Sequence, residues 1–228
     1  LRRLTGLPWL AETQDPLVHD HDWRRGRRVL AVYRWFEKWI CANADEFVFL
    51  ARAARENMAA RSGMAGCGAV VYPGADPSMF QDGLYEKGDH CHFAHLGTLN
   101  GTRNLVVFLK ALRMLLDSGR IPADSVRVDV YGSLDSGSRK AIEDLGLANM
   151  VCDHGVLTRK KALRAMQRAD CLLLIQNTIF FSSETIPSKV YEYLQSGRPI
   201  LGLVHHNQEL REMLAQSGHF PVRADDID

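Results

Sequence analysis

Short apolar runs alternate with helical patterns along most of this chain. From residue 92 onward the runs are 92–97, 126–132, 150–155, 171–176 and 199–204. Between them Leu105, Phe108, Leu109, Leu112 and Leu116 recur at helical period, as do Leu163 with Met166 and Leu210 with Met213 and Leu214. Strands alternating with amphipathic helices predict βαβ units: an α/β fold with a parallel, Rossmann-like sheet and helices on both faces. Such sheets receive ligands at the carboxyl ends of their strands. Gly97, Gly132 and Gly155 fall at those ends, where a backbone turns tightly or comes close to a ligand.

Residues 1–74 repeat the rhythm in shorter form, with strands predicted at 8–13, 46–51 and 69–72 and helices at 27–44 and 52–62. Residues 75–91 turn polar and rich in Gly, Pro and Asp, a linker composition. The expected organisation is therefore 1–74, a linker over 75–91, and a Rossmann-like unit over 92–228. Three strands are too few for a doubly wound domain, so the first part reads as the tail of a truncated one, preceding a ligand-binding unit. The missing initial Met fits a fragment or a processed product.

Composition narrows the class. With 228 residues, 46% hydrophobic and 24% charged, the chain is an ordinary globular protein. A net charge of +1 argues against nucleic-acid binding. Cys41, Cys67, Cys91, Cys152 and Cys171 are odd in number and lack CxxC spacing, so they read as buried reduced thiols. No apolar run is long enough to span a bilayer, and no signal peptide opens the chain, which makes the cytoplasm the default address.

The chemistry concentrates between Glu184 and Glu192. Pro187 suits the first position of a helix. Ser188, Lys189 and Glu192 would then share one face of its opening turns, with Val190, Tyr193 and Leu194 packed inward. A lysine in a first turn opposes the helix dipole. A phosphate there, held by backbone N–H groups around Ile186 to Ser188 and neutralised by Lys189, removes that conflict. Glu184 and Glu192 are placed to accept hydrogen bonds from hydroxyls. Phosphate together with hydroxyls describes a nucleotide sugar.

These residues resemble glycosyltransferase family 4, whose members pair two Rossmann-like domains in the glycosyltransferase-B architecture. The Glu184–Glu192 pair matches that family's two-glutamate motif in an Ile-Pro-Ser-Lys variant, followed by Tyr191-Glu192-Tyr193-Leu194 and Gly197-Arg198-Pro199-Ile200. Pro8 to Pro16 resembles the family's Arg-Asp-Pro-Trp segment, and Ala44-Asp45-Glu46-Phe47-Val48 a strand start late in its first domain. Val71 to Phe80 is similar to its interdomain IPNGVDPERF stretch, with Gly74 standing where the family has Asn-Gly. Gly97-Thr98-Leu99 through Arg103-Asn104 resembles the first loop of the donor domain.

The resemblance implies a retaining transfer of a sugar from a UDP- or GDP-linked donor to a glycan or lipid-linked acceptor in cell-surface polysaccharide synthesis. It assigns the sugar hydroxyls to Glu184 as the catalytic residue and the ribose to Glu192. The diphosphate falls to Gly97, Thr98, Arg103, Lys189 and the 186–188 backbone. Arg103 is the loop's only cation where the family often has an Arg and a Lys. Leu157 and Arg159 resemble the base pocket; a plain helix start capped by Thr158 explains them equally. No resident cofactor or metal is implied, since helix N-terminus, Lys189 and Arg103 can stabilise the leaving diphosphate. The resemblance also implies that most of the acceptor side lies upstream of Leu1, so this chain by itself would bind donor and transfer little.

Rival signals are weaker. His90-Cys91-His92 with His95 suggests a metal, but His92 and His95 point to opposite faces of a strand. Asp20-His21-Asp22 beside His19 imitates a manganese motif and reads better as a solvated loop. Arg24, Arg25, Arg27 and Arg28, preceding Trp35, Phe36 and Trp39, form either a membrane-surface patch at the inner face or an ordinary helix packed through its aromatics. A nucleotide-sugar 2-epimerase and a non-catalytic nucleotide-binding module are the alternative functions.

Overall fold

The computed structural model describes residues 5–19, 26–63, 68–81 and 85–226. Contacts divide the chain into two units. One is Leu1–Pro73 with Ile179–Pro187 and Asn207–Glu209, the other Gly74–Thr178 with Ser188–His206 and Leu210–Asp228.

In the first unit β1 (Leu10–Thr13), β2 (Glu46–Phe49) and β3 (Ala69–Val70) form a parallel sheet in that order, crossed by α1 (Arg27–Asn43) and α2 (Arg52–Ser62). Its core joins Phe47 and Phe49 to Ile40 of α1 and to Ala54 and Met58 of α2. Strand β3 is shorter than its apolar run because Pro73 follows. Val71 still donates to Phe49 O at 2.9 Å, and the chain then leaves the sheet. Of the α1 aromatics Trp39 packs inward, tilted against Trp9 with ring centroids 5.5 Å apart. Glu37 and Ile40 are the helix's buried residues, while Trp35 is 62% exposed and stacks with Phe36 and Trp39 along an open face.

The second unit carries β4 (Cys91–Thr98), α3 (Val106–Asp117), β5 (Val126–Ser133), α4 (Ser136–Asp144), β6 (Val151–Asp153), α5 (Arg159–Arg168), β7 (Cys171–Ile175), α6 (Lys189–Gln195), β8 (Ile200–Val204) and β9 (Phe220–Arg223). Its six strands run parallel in the order β6-β5-β4-β7-β8-β9. The Rossmann-like α/β architecture expected from the sequence is thus present. Strand β9 was not legible in the pattern: it holds Pro221, and its Phe220 is exposed, both properties of an edge strand. The core sits on the side of β5 that presents Val126, Val128 and Val130, packed with Leu105, Leu109 and Leu147. The other side of β5 presents Arg127, Asp129 and Tyr131, so this central strand is not apolar on both faces.

One local departure from regularity shapes the sheet. Strand β4 pairs with β5 along its whole length but with β7 only through Phe93↔Cys171 and Ala94↔Leu172. Beyond Ala94 the two strands part, and side chains take over the ladder's hydrogen bonds. The Leu96 N–H donates to the Tyr193 hydroxyl at 3.0 Å. Lys189 Nζ donates to the Leu96 carbonyl at 2.7 Å. His95 Nδ1 lies 2.9 Å from the Leu173 carbonyl of β7. Helix α6 is thereby fastened into the opening. Gly97, at φ +132, leaves room for the lysine, because a Cβ there would lie 2.1 Å from Nζ.

Removing the Tyr193 hydroxyl should strand a buried N–H. Tyr193→Phe is expected to lower the unfolding free energy by about 1–3 kcal/mol. Urea titration followed by circular dichroism checks this, and an unchanged midpoint would mean that α6 is not fastened through this bond.

Candidate functional site

The order of strands reverses direction between β4 and β7, with β5 and β6 to one side and β8 and β9 to the other. Open α/β sheets bind ligands at such switch points. Here the point coincides with the parted strands, and two cations gather beside it. Lys189 reaches in from α6. Arg103 extends from the turn after β4, which is closed by reciprocal Asn100 and Arg103 backbone bonds of 2.8 and 2.9 Å.

Burial, and then the charge of Arg103, brings Lys189 down to about 8. Burial likewise lowers Arg103, whose Nε has no hydrogen-bond partner. Among the described residues no ion pair joins either cation to a carboxylate. His95, behind them, is fully buried and brought down to about 3, by burial first and Lys189 second. It is therefore neutral, donates from Nδ1 to Leu173, and leaves Nε2 without a partner. Two like charges held together in a half-buried place favour an anion between them.

The remaining sequence candidates of this unit lie nearby in varied states. Glu192, three residues beyond Lys189 on α6, is paired with Arg159 at the start of α5. Helix α5 starts at Arg159 with Thr158 at its cap position, as a plain helix start requires, although the Thr158 side chain makes no cap bond. Leu157 is half-buried, while Thr98 and Ser188 are exposed. Helix α6 begins at Lys189, so Pro187 is not its first helical residue. With seven residues the helix supplies only a short dipole, which leaves Lys189 and Arg103 as the principal positive groups.

Glu184 belongs to the first unit, as do Ile186 and Pro187. Ile186 packs against that unit's apolar core. Asn207 Nδ2 donates to the carbonyls of Ser182 and Thr185 at 2.8 and 2.9 Å and fixes the loop around the glutamate. Glu184 is 2% exposed. His19 Nε2 lies 3.2 Å from one carboxylate oxygen and Arg61 Nη1 3.7 Å from the other. Arg61 is also 3.2 Å from the buried Glu37. Burial pushes the Glu184 carboxyl up, and Arg61 offsets part of that rise. A cavity of about 680 Å³ opens beside it, lined also by Arg34, Asn57 and Phe180. Arg61 and Asn57 were not among the sequence candidates, since they sit more than a hundred residues away in a predicted helix with no motif of its own.

Of the rival signals, Asp20, His21, Asp22, Arg24 and Arg25 lie outside the described residues, as does Cys67. The other four cysteines are free and none is fully buried; Cys91 is exposed. His92 and His95 do face apart, the first toward Asp129 and the second toward Leu173. Two groups unseen in the sequence bring ligand-type atoms within 4.8 Å of one another: Asp129 with Cys152 and His154, and His205 with His206 and Asp225. Their members come from separate strands and loops, so spacing could not reveal them. No described helix is long and apolar enough to cross a membrane.

No protein-family model matches this chain, and no curated protein matches it by sequence. Solved structures do match in fold. Anabaena Alr3699/HepE, crystallised with UDP-glucose, is 16% identical with a TM-score of 0.69, over 99% of this chain and 61% of that one. Sucrose-phosphate synthase from Thermosynechococcus elongatus is 14% identical with a TM-score of 0.69, over 99% and 57%. WaaG, a glycosyltransferase involved in lipopolysaccharide biosynthesis, is 16% identical with a TM-score of 0.69, over 95% and 61%. The chain thus has the Rossmann-like fold of glycosyltransferase-B enzymes and spans 57–61% of the length of these three.

Lys189 sets a pH dependence of stability. Below about 8 it is charged in both folded and unfolded chains, and its burial penalty is fully present. Between about 8 and the ordinary lysine value of 10.5 the unfolded chain binds more protons, so stability rises with pH across that window. Urea midpoints at pH 8 and pH 10 should therefore climb in the parent relative to Lys189→Met. Parallel behaviour of the two proteins would contradict the assignment.

Proposed function

We propose that this chain carries the donor site of a glycosyltransferase that moves a hexosyl group, with retention, from a nucleotide sugar to a glycan or lipid-linked acceptor. The observation that carries the reading is the Lys189–Arg103 pair at the β4/β7 switch point, two cations with no ion-pair partner among the described residues, where a diphosphate is expected. The UDP and UDP-glucose bound to the fold's HepE neighbour support the same ligand class.

In the reaction the bond between the anomeric carbon and the phosphate oxygen breaks, and its electron pair stays on the leaving diphosphate. Lys189 and Arg103 stabilise that charge as it develops, which requires no divalent metal. Glu192 exchanges Arg159 for the ribose hydroxyls. The assignment of the sugar hydroxyls to Glu184 rests on the spacing of the motif. The acceptor's lipid-linked character is supported by the exposed row Trp35, Phe36 and Trp39 beside Arg27 and Arg28, a composition suited to a membrane surface.

Thermal shift in EDTA with UDP, GDP, ADP and TDP tests the donor site. At one hundred times its dissociation constant the correct nucleotide should add about 2.7 kcal/mol of stability. The effect should vanish in Lys189→Met/Arg103→Gln. Glu192→Ala should weaken nucleotide binding by about 1.5–3 kcal/mol, whereas Glu184→Gln should leave it intact. Because Lys189 loses its proton near 8, affinity should fall about tenfold from pH 7 to pH 9. Four nucleotides without any shift, or binding indifferent to both cations, would reject the reading.

A further inference from the structure

The polar side of β5 faces a cavity of about 520 Å³, roofed by α5. At its floor Asp129, 4% exposed, gathers four neighbours. His92 Nε2 lies 2.8 Å from one oxygen and His154 Nε2 3.0 Å from the other. Arg127 Nε and the Tyr131 hydroxyl donate to it at 3.0 and 3.1 Å. Burial would push this carboxyl up, but polar contact from His92, His154 and Arg127 prevails and holds it well below the ordinary carboxylate range. Asp129 is thus a saturated anion that fixes Arg127 and His92 at the cavity wall.

The roof is different. Lys161, Arg164 and Arg168 stand at i, i+3 and i+7 of α5 and line the cavity, with the small Ala165 between them. None of the three has an ion-pair partner among the described residues. The helix Arg159–Arg168 contains five cations and no acid, so Lys160–Arg164 and Arg164–Arg168 are like-charge neighbours. Its first turn is cationic, against the helix dipole. Each of these arrangements is unfavourable in the free chain and is relieved by an anion under the helix.

We infer that this cavity is a second anion site of the second unit, taking a small molecule with at least two phosphate charges between Arg127 on the strand and Lys161, Arg164 and Arg168 on the helix. Arginine forks hold phosphate oxygens in pairs, which suits Arg164 and Arg168 to this task. Neither Lys189 nor Arg103 lines this cavity, which opens on the side of β5 that bears Arg127, Asp129 and Tyr131. Asp129, Cys152 and His154 come within metal-ligating distance, but the surrounding cations oppose a divalent ion there.

The test uses inorganic pyrophosphate and Lys189→Met/Arg103→Gln protein, in which the donor cations are gone, so its result is independent of the proposed glycosyltransferase activity. Calorimetry should show one pyrophosphate site, weakened at least tenfold by adding Arg164→Gln and Arg168→Gln. Both residues are exposed at the surface, and circular dichroism confirms that the variants fold. Absence of binding, or binding unchanged by the two substitutions, would overturn the proposal. So would equal displacement by sodium chloride at matched ionic strength, which would mean diffuse surface charge only. Zinc binding that is lost in Cys152→Ser, with no effect of pyrophosphate, would place a metal there instead.

Discussion

The second unit depends on the parting of β4 and β7 after Ala94 and Leu172. A parallel sheet that loses a ladder in its interior exposes backbone donors and acceptors where water does not reach. Tyr193 and Lys189 together satisfy Leu96, and His95 satisfies Leu173, so the opening is held by three side chains rather than closed by strand pairing. This constraint fixes where α6 can lie. It also explains why a lysine is drawn inward beside Gly97. The candidate site is thus a consequence of how the sheet resolves its own unpaired groups.

The electrostatic state of the free chain follows from that placement. Lys189 spends its Nζ on a carbonyl and sits beside Arg103, with a neutral histidine behind. The charge of Glu192 offsets part of this for Lys189, while each cation's burial works against its charge. A dianionic group entering the opening would restore full protonation of Lys189 and give Arg103 Nε a partner. Affinity for anions and instability of the free state therefore have one source.

The sequence made the architecture readable because each βα repeat carries its own period, and apolar runs bounded by glycine and proline rarely belong to anything but buried parallel strands. It failed where tertiary context decides. Strand β9 is an edge with Pro221 in it, and β5 alternates valines with Arg127, Asp129 and Tyr131, a polar face that a run of valines conceals. The donor candidates Lys189, Arg103 and Glu192 were legible because they cluster along the chain or in one loop. The partners of Glu184 were not, since His19 comes from a loop and Asn57 and Arg61 from α2, all more than a hundred residues away along the chain. Helix α1 misled in another way. Its aromatics read equally well as packed or as exposed, and only the burial of Glu37 against Arg61 shows which side turns inward.

The two glutamates that frame the motif look equivalent in sequence and are unlike in their environments. Glu192 is held by Arg159, close to solvent, and is ready to exchange one positive or hydroxyl partner for another. Glu184 is almost wholly buried, and its proton affinity is raised by burial more than Arg61 lowers it. The motif's spacing thus locates two carboxyl groups, one paired near solvent and the other buried beside an open cavity. The charged partners of each carboxyl, His19 and Arg61 for Glu184 and Arg159 for Glu192, come from outside the motif itself.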